Sequence, residues 1–239
     1  MRTASIENSL LATLPGKEYR RLLPWLETVT LTLGEVLYEP GQKIRHVYFP
    51  NDSLVSLLTL ADGHLALEVG LIGRDGMVGL PLVLGYNLSP VRALVQGEGT
   101  ALRMAAAAFL KQFRLSPALQ RALYRYTYVL MAQISQTAAC NRFHVVEQRL
   151  SRWLLMTQDR VKKDQFRMTQ EFLGHMLGVR RVGVTKAAQS LQKLHLIAYN
   201  RGEITILNRP GLEAAACACY GIVKDMHDGA VATQAKRKA

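Results

Sequence analysis

The hydrophobic pattern changes period along the chain, and each change marks a new kind of element. Over residues 9–26 apolar side chains recur at helical spacing (Leu10, Leu11, Leu14, Leu22, Leu23, Leu26), interrupted at Pro15-Gly16 and Pro24. From Val29 onward the period is two. Residues 29–33, 35–38, 46–49, 54–58 and 65–69 alternate, and shorter apolar runs follow at 93–95 and 101–102. Turn residues fall between them at Pro40-Gly41, Pro50-Asn51-Asp52, Asp62-Gly63, Gly73-Arg74-Asp75-Gly76 and Gly97-Glu98-Gly99. Short strands so spaced predict an antiparallel sandwich or roll over residues 28–104.

The helical period then returns. An Ala-rich helix is expected at 104–110. Ser116-Pro117 offers an N-cap followed by proline at the first helical position, and no Gly or Pro follows until Gly174. One long helix from Pro117 to about Phe143 follows from this. Its positions Leu119, Leu123, Tyr126, Leu130, Gln133, Thr137 and Cys140 alternate four and three apart, as in a coiled-coil seam. That stripe predicts a dimer seam; the competing reading is a helix packed on its own β-roll. A second helix, 145–158, buries Leu150, Trp153, Leu154 and Leu155, and 159–167 reads as a polar, basic loop or hairpin.

Residues 169–207 carry the most specific pattern. Thr169 is a good N-cap with Glu171 in the first turn, and Phe172, Leu173, Met176 and Leu177 share one face. Gly178 turns the chain into a helix over 181–194, whose buried stripe is Val184, Ala187, Ala188, Leu191 and Leu194. Residues 196–199 and 204–207, joined by Asn200-Arg201-Gly202, then form a two-stranded wing. Two helices crossing at a tight turn are a helix-turn-helix, whose second helix enters the DNA major groove N-terminus first. Arg180, Arg181 and Lys186 stand where phosphates and base edges would lie. A plain helical hairpin with solvated arginines lacks the wing and has no reason for a basic first turn. A small helix to about Tyr220 and a frayed tail over 221–239 complete the reading.

Charge sharpens this picture. The chain of 239 residues carries a net charge of +12. Residues 1–140 hold 13 Lys and Arg against 10 Asp and Glu, and residues 141–239 hold 17 against 8. The excess therefore lies beside the helix-turn-helix, as a phosphate-binding face requires. Cys140, Cys217 and Cys219 show no Cys-x-x-Cys pair and no zinc-like spacing with His, so no metal site is expected. A Cys217–Cys219 disulfide would be strained, which leaves buried or idle thiols. The N-terminus has no uncharged apolar core for a signal peptide or membrane span, and a cytoplasmic protein is expected.

With the order β-roll, long helix, helix-turn-helix and wing, the chain resembles the Crp/Fnr family of bacterial transcription regulators over about residues 20–215. The likeness is carried by residues 169–174 (TQEFLG) and 177–186 (LGVRRVGVTK), by 33–41 (LGEVLYEPG) and by 73–79 (GRDGMVG). It implies an α+β chain of four parts. These are a cyclic-nucleotide-binding-like β-roll (jelly-roll-like, 1–115), a long dimerisation helix (116–144), a winged helix-turn-helix (145–220) and a flexible tail (221–239).

The resemblance further implies a homodimer that binds palindromic double-stranded DNA and meets RNA polymerase, as activator or repressor. Contacts are assigned to Thr169, Gln170, Arg180, Arg181, Val182 and Lys186. Arg181 matches the family's first recognition Arg, which takes a guanine edge by two hydrogen bonds. Val182 stands where the family has Glu, and Lys186 where it has a second Arg. A half-site different from the family's best-known one follows.

In cyclic-nucleotide-binding members a Gly-Glu pair grips the ribose and a later Arg meets the phosphate. Here Gly79 matches the Gly, Leu80 replaces the Glu, and Arg92, beside Ala93, resembles the phosphate Arg. An unmet buried hydroxyl costs about 1–3 kcal/mol, so cyclic nucleotide is disfavoured. The pocket is then filled by Leu80, Leu82, Val83 and Leu84, or takes another small molecule. Residues 1–139 contain no Cys, so the family's N-terminal iron–sulfur cluster is not expected, and His46, His64 and His144 are too scattered to suggest haem. The rival class is an enzyme or signalling effector governed by the β-roll. No nucleophile elbow, phosphate-cradling loop or paired carboxylates support it, and Gly73-Arg74-Asp75-Gly76 reads as a turn.

Overall fold

The computed structural model describes residues 7–61 and 65–235. The expected turn at Asp62-Gly63 and His64 lie outside the described residues. Two short helices, Ser9–Ala12 (α1) and Gly16–Leu22 (α2), and a 3-10 turn at Leu23–Trp25 precede the β-roll. Asn8 caps α1 and also donates to the Pro50 and Gly76 carbonyls, which pins the start of the chain to the roll.

Among the described residues the roll has seven strands: Glu27–Leu31 (β1), Val36–Tyr38 (β2), His46–Pro50 (β3), Leu54–Ala61 (β4), Leu65–Ile72 (β5), Arg92–Gly97 (β6) and Gly99–Ala105 (β7). They pair antiparallel in two sheets, β1-β7-β3 and β2-β6-β4-β5. The inward residues of each alternation meet between the sheets, where Phe49, Val55, Ile72, Val95 and Met104 are buried. The two antiparallel sheets form the sandwich or roll that the period-two runs imply.

Helix Ala106–Leu115 (α3) closes one side and leads to Pro117–Phe143 (α4), which runs for 27 residues, about 40 Å. Ser116 caps α4 by accepting from the Leu119 N–H at 3.1 Å. The stripe expected to pair subunits is occupied within the chain itself. Leu119, Leu123, Tyr126 and Leu130 belong to the β-roll core. Gln133 accepts at 2.7 Å from Arg160 and donates to the Leu71 carbonyl, and Thr137 accepts from Arg152 at 3.0 Å. That face lies against the roll and the C-terminal domain, the arrangement of a helix packed on its own β-roll, and leaves these side chains no surface to offer a second subunit. A second four-and-three stripe stays exposed on α4: Arg121, Tyr124, Tyr128, Met131, Ser135, Ala138 and Arg142. Tyr128 and Met131 are 63% and 62% exposed.

The C-terminal domain is built from Val146–Val161 (α5), Gln165–Arg167 (β8), Gln170–Leu177 (α6), Arg181–Lys193 (α7), Ile197–Asn200 (β9), Glu203–Ile206 (β10) and Arg209–Ala215 (α8). Its own core joins Leu150 and Leu154 of α5 to Leu173, Val184, Leu191, Ile204 and Leu212. The polar 159–167 segment contributes β8, a third strand of the wing in the order β8-β10-β9. The expected frayed tail is instead a helix, Cys219–Ala235 (α9), as far as residue 235, and it lies along α4. Residues 236–239 lie outside the described residues. Among the described residues no helix is long and apolar enough to cross a membrane.

Candidate nucleic-acid interface

The helix-turn-helix is assembled by caps and close approaches that its sequence dictates. Thr169 accepts from the Phe172 N–H at 3.2 Å and starts α6. Gly178 ends it at φ 59°, a left-handed conformation that favours glycine. Gly174 lies so close to the turn that an added Cβ would come within 2.9 Å of the Val179 carbonyl oxygen. That proximity sets how tightly α6 and α7 cross. Arg180 is the N-cap of α7, in extended conformation and without a side-chain cap bond. Val184, Ala187, Ala188 and Leu191 are buried against α5, α6 and β9. The expected stripe holds, except that Leu194, at the C-cap, is 57% exposed.

Burying that stripe turns the opposite face of α7 outward. Arg180, Arg181, Val182 and Lys186 are all exposed, as is Gln189, which the sequence reading did not single out. Among the described residues, Arg180, Arg181 and Lys186 form no ion pair, whereas Arg92, Arg103 and Arg209 each do. Gln170 is half-buried, and its side-chain oxygen accepts from the Thr185 hydroxyl at 2.7 Å. That leaves its amide N–H groups free to reach outward while fixing the start of α6 against α7.

The wing completes the surface. Arg201 and Gly202 turn the hairpin with φ 48° and 82°, the pattern of a two-residue type I′ turn. The left-handed Arg201 carries a cationic group to the exposed wing tip. A groove of about 370 Å³ runs between Thr169, Gln170, Arg181, Tyr199 and Arg201. Tyr199 anchors its floor by donating to the Met168 carbonyl at 2.7 Å. Burial pushes the Tyr199 pKa up, against the opposing pull of the Arg181 charge.

Buried polar contacts lock this domain to the roll. Trp153 Nε1 of α5 donates to Glu68 Oε1 of β5 at 2.9 Å, and Ser56 Oγ donates to the other carboxylate oxygen at 2.6 Å. Burial pushes the Glu68 pKa up to about 7, against those two hydrogen bonds and the charges of Arg152 and Arg160. Arg160 pairs with Asp75 of the 73–76 turn at 3.1 Å while donating to Gln133 of α4. Arg149 donates to the Asn141 side chain and to the Leu177 carbonyl at the end of α6. The roll, the long helix and the helix-turn-helix are therefore joined through named side chains.

The effector-pocket candidates separate. Gly79 and Leu80 line a cavity of about 210 Å³ between the roll and α4, shared with Leu57, Val69, Leu130 and Ile134. Leu84 also lines it, whereas Leu82 and Val83 are buried in the core beside it. Arg92 does not line the cavity; it pairs with Glu39 at 2.9 Å, and Ala93 is fully buried between strands. The lining is almost wholly apolar and the volume lies below the usual 300–1,000 Å³ or so of ligand pockets. Among the described residues that line it there is no cation to meet a cyclic phosphate.

Residues 148–215 match the family model of the Crp-like helix-turn-helix domain. No curated protein matches the chain by sequence. Among solved structures, FixK2 from Bradyrhizobium japonicum is similar with a TM-score of 0.68 at 14% identity, covering 81% of this chain and 98% of its own. CLP of Xanthomonas campestris, described as a c-di-GMP-responsive global regulator, gives 0.65 at 16%, covering 80% and 99%. TTHB099 of Thermus thermophilus, a transcriptional regulator of the CRP family, gives 0.65 at 17%, covering 79% and 96%. At such identities the likeness is one of fold. The chain carries a Crp-like helix-turn-helix domain at residues 148–215, on a body with the fold of the Crp/Fnr transcription regulators.

Proposed function

We propose that the protein is a transcription regulator of the Crp/Fnr type that binds a palindromic DNA element as a homodimer. The observation that carries this reading is the outward face of α7. Its apolar stripe is buried, while Arg180, Arg181, Val182 and Lys186 are exposed at the N-terminal end that a helix-turn-helix presents to the major groove. Arg181 is assigned to a guanine edge and Val182 to a thymine methyl, since Val cannot accept from a cytosine amino group. Thr169, Gln170, Arg180 and Arg201 are assigned to phosphates, and Lys186 acts as a point charge without the planar fork of Arg.

The dimer seam is assigned to the exposed stripe of Tyr124, Tyr128, Met131, Ser135 and Ala138. It keeps the four-and-three spacing of a coiled coil on the face that the β-roll leaves uncovered. Two such subunits would place two recognition helices on the half-sites of a two-fold element. A small apolar effector would enter the cavity lined by Leu80. Leu130, Met131 and Ile134 of α4 line that cavity, so an occupant would bear directly on the seam helix. Contact with RNA polymerase belongs to the same reading.

The test is a fluorescence-anisotropy titration with duplexes carrying a selected site and with scrambled duplexes, at several salt concentrations. The reading expects tight, salt-sensitive binding to the selected site and weaker binding to the scramble. Equal affinity for both would defeat it.

A further inference from the structure

Four side chains that look unrelated in sequence converge at one point. Cys140 and His144 lie one turn apart at the end of α4, and Cys217 and Cys219 flank the corner between α8 and α9. Their ligand atoms all lie within 4.8 Å of one another, and all three cysteines are buried and free. We propose that Cys140, His144, Cys217 and Cys219 form a tetrahedral metal site of the Cys3His type, whose natural occupant is a single Zn2+ ion.

The distances fit one ion. Zinc takes thiolate sulfur at about 2.3 Å and imidazole nitrogen at about 2.0–2.1 Å, in tetrahedral geometry. Ligands at those lengths stand about 3.8 Å apart for a sulfur pair and about 3.6 Å for sulfur and nitrogen. The Cys140 and Cys217 sulfurs are 3.5 Å apart, and Cys219 Sγ is 3.5 Å from His144 Nδ1. Four ligands converging on one centre suit a mononuclear site, since an iron–sulfur cluster spreads its ligands over several irons. Three thiolates and a neutral imidazole would leave the zinc centre with one negative charge.

The surroundings meet that charge. Arg149 and Arg152 are both buried and line the same small cavity as Cys140. Gln136 donates its amide N–H to Cys219 Sγ at 3.0 Å, the kind of outer hydrogen bond that orients a thiolate ligand. Metal entry releases the three thiol protons to solvent. His144 is also the C-cap of α4, at the joint before α5. The ion would therefore fasten the hinge of the long helix to the C-terminal corner that follows the helix-turn-helix. The site stands independently of the DNA reading.

The experiment starts with the metal content of full-length protein purified under reducing conditions, where about one zinc per chain is expected. The protein is then stripped with chelator under reductant and titrated with Co2+ alone. The proposal expects saturation at one equivalent, with the intense visible bands of tetrahedral cobalt and thiolate-to-cobalt charge transfer. Cys219→Ser and His144→Ala should each weaken Co2+ binding at least tenfold and shift those bands. The wild-type spectrum stands even if a variant fails to fold. Any one of three results would overturn the proposal: no metal-dependent visible bands, the weak bands of octahedral cobalt, or the brown absorption of an iron–sulfur cluster.

Discussion

Replacing Glu68 by Gln separates the junction between roll and helix-turn-helix domain from every other pH effect in the molecule. Glu68 is buried, and burial raises its pKa from 4.5 to about 7 despite the hydrogen bonds from Ser56 and Trp153. An unfolded Glu titrates near its ordinary value. Between about pH 4.5 and 7 the folded chain therefore holds a proton that the unfolded chain has lost. The associated stability is fully present below pH 4.5 and is lost as pH rises through about 7. At about 1.4 kcal/mol per pH unit, that window is worth about 3 kcal/mol. Gln keeps a carbonyl oxygen for Trp153 and cannot ionise. Urea unfolding of both proteins from pH 4.5 to 8, followed by Trp fluorescence and circular dichroism, gives a difference curve.

That curve should favour the Gln variant by about 3 kcal/mol more at pH 7.5 than at pH 4.5. Other groups cancel in the difference. One is Asp52, whose pKa is raised by burial but brought below its ordinary value overall by Thr100 hydrogen bonds and the Lys163 charge. A flat difference curve would refute the reasoning and place Glu68 in contact with solvent.

Three further outcomes follow from the geometry. Tyr128→Asp combined with Met131→Asp should leave a folded monomer by sedimentation with weakened DNA binding; a dimer that persists would put the seam elsewhere. Leu123→Ala, at a fully buried position, should lower unfolding free energy by about 2–5 kcal/mol while the dimer mass is unchanged, and loss of dimer without loss of stability would reverse that assignment. Arg180→Ala and Arg201→Ala should each weaken binding on all sequences alike and reduce the slope of log K against log salt by about 1, and an unchanged slope would remove that residue from the phosphate contacts.

Much of the fold was legible because local chemistry marks it. Ser116-Pro117 starts α4 where an N-cap and first-position proline should, and the Gly- and Pro-bearing turns divide the roll into the observed strands. Thr169, Gly178 and the Asn200-Arg201-Gly202 turn placed the helix-turn-helix and wing. What was missed is non-local. Residues 165–167 are too few to show a period, and β8 exists only through its pairing with β10. Gly221 and Gly229 hid α9, which gains its order by packing along α4. On α4 two four-and-three stripes lie side by side, and periodicity cannot say which faces the chain's own body. The more aliphatic stripe turned inward, and Tyr124, Tyr128 and Met131 remained outside. Arg92 resembles a phosphate ligand in sequence, but in the fold it pairs with Glu39, 53 residues away. The Cys and His spacing carried no metal signal because Cys140 and Cys217 are 77 residues apart and meet only in the fold.

The central claim is that the exposed end of α7 distinguishes one DNA sequence from another. Selection from randomised duplexes with the wild type and Arg181→Ala tests it most directly. The account predicts a two-fold symmetric consensus containing a guanine whose preference is relaxed in the variant, by about 1–3 kcal/mol or roughly 5–150-fold in affinity. Enrichment of no sequence by the wild type, or equal loss on every sequence in the variant, would contradict it.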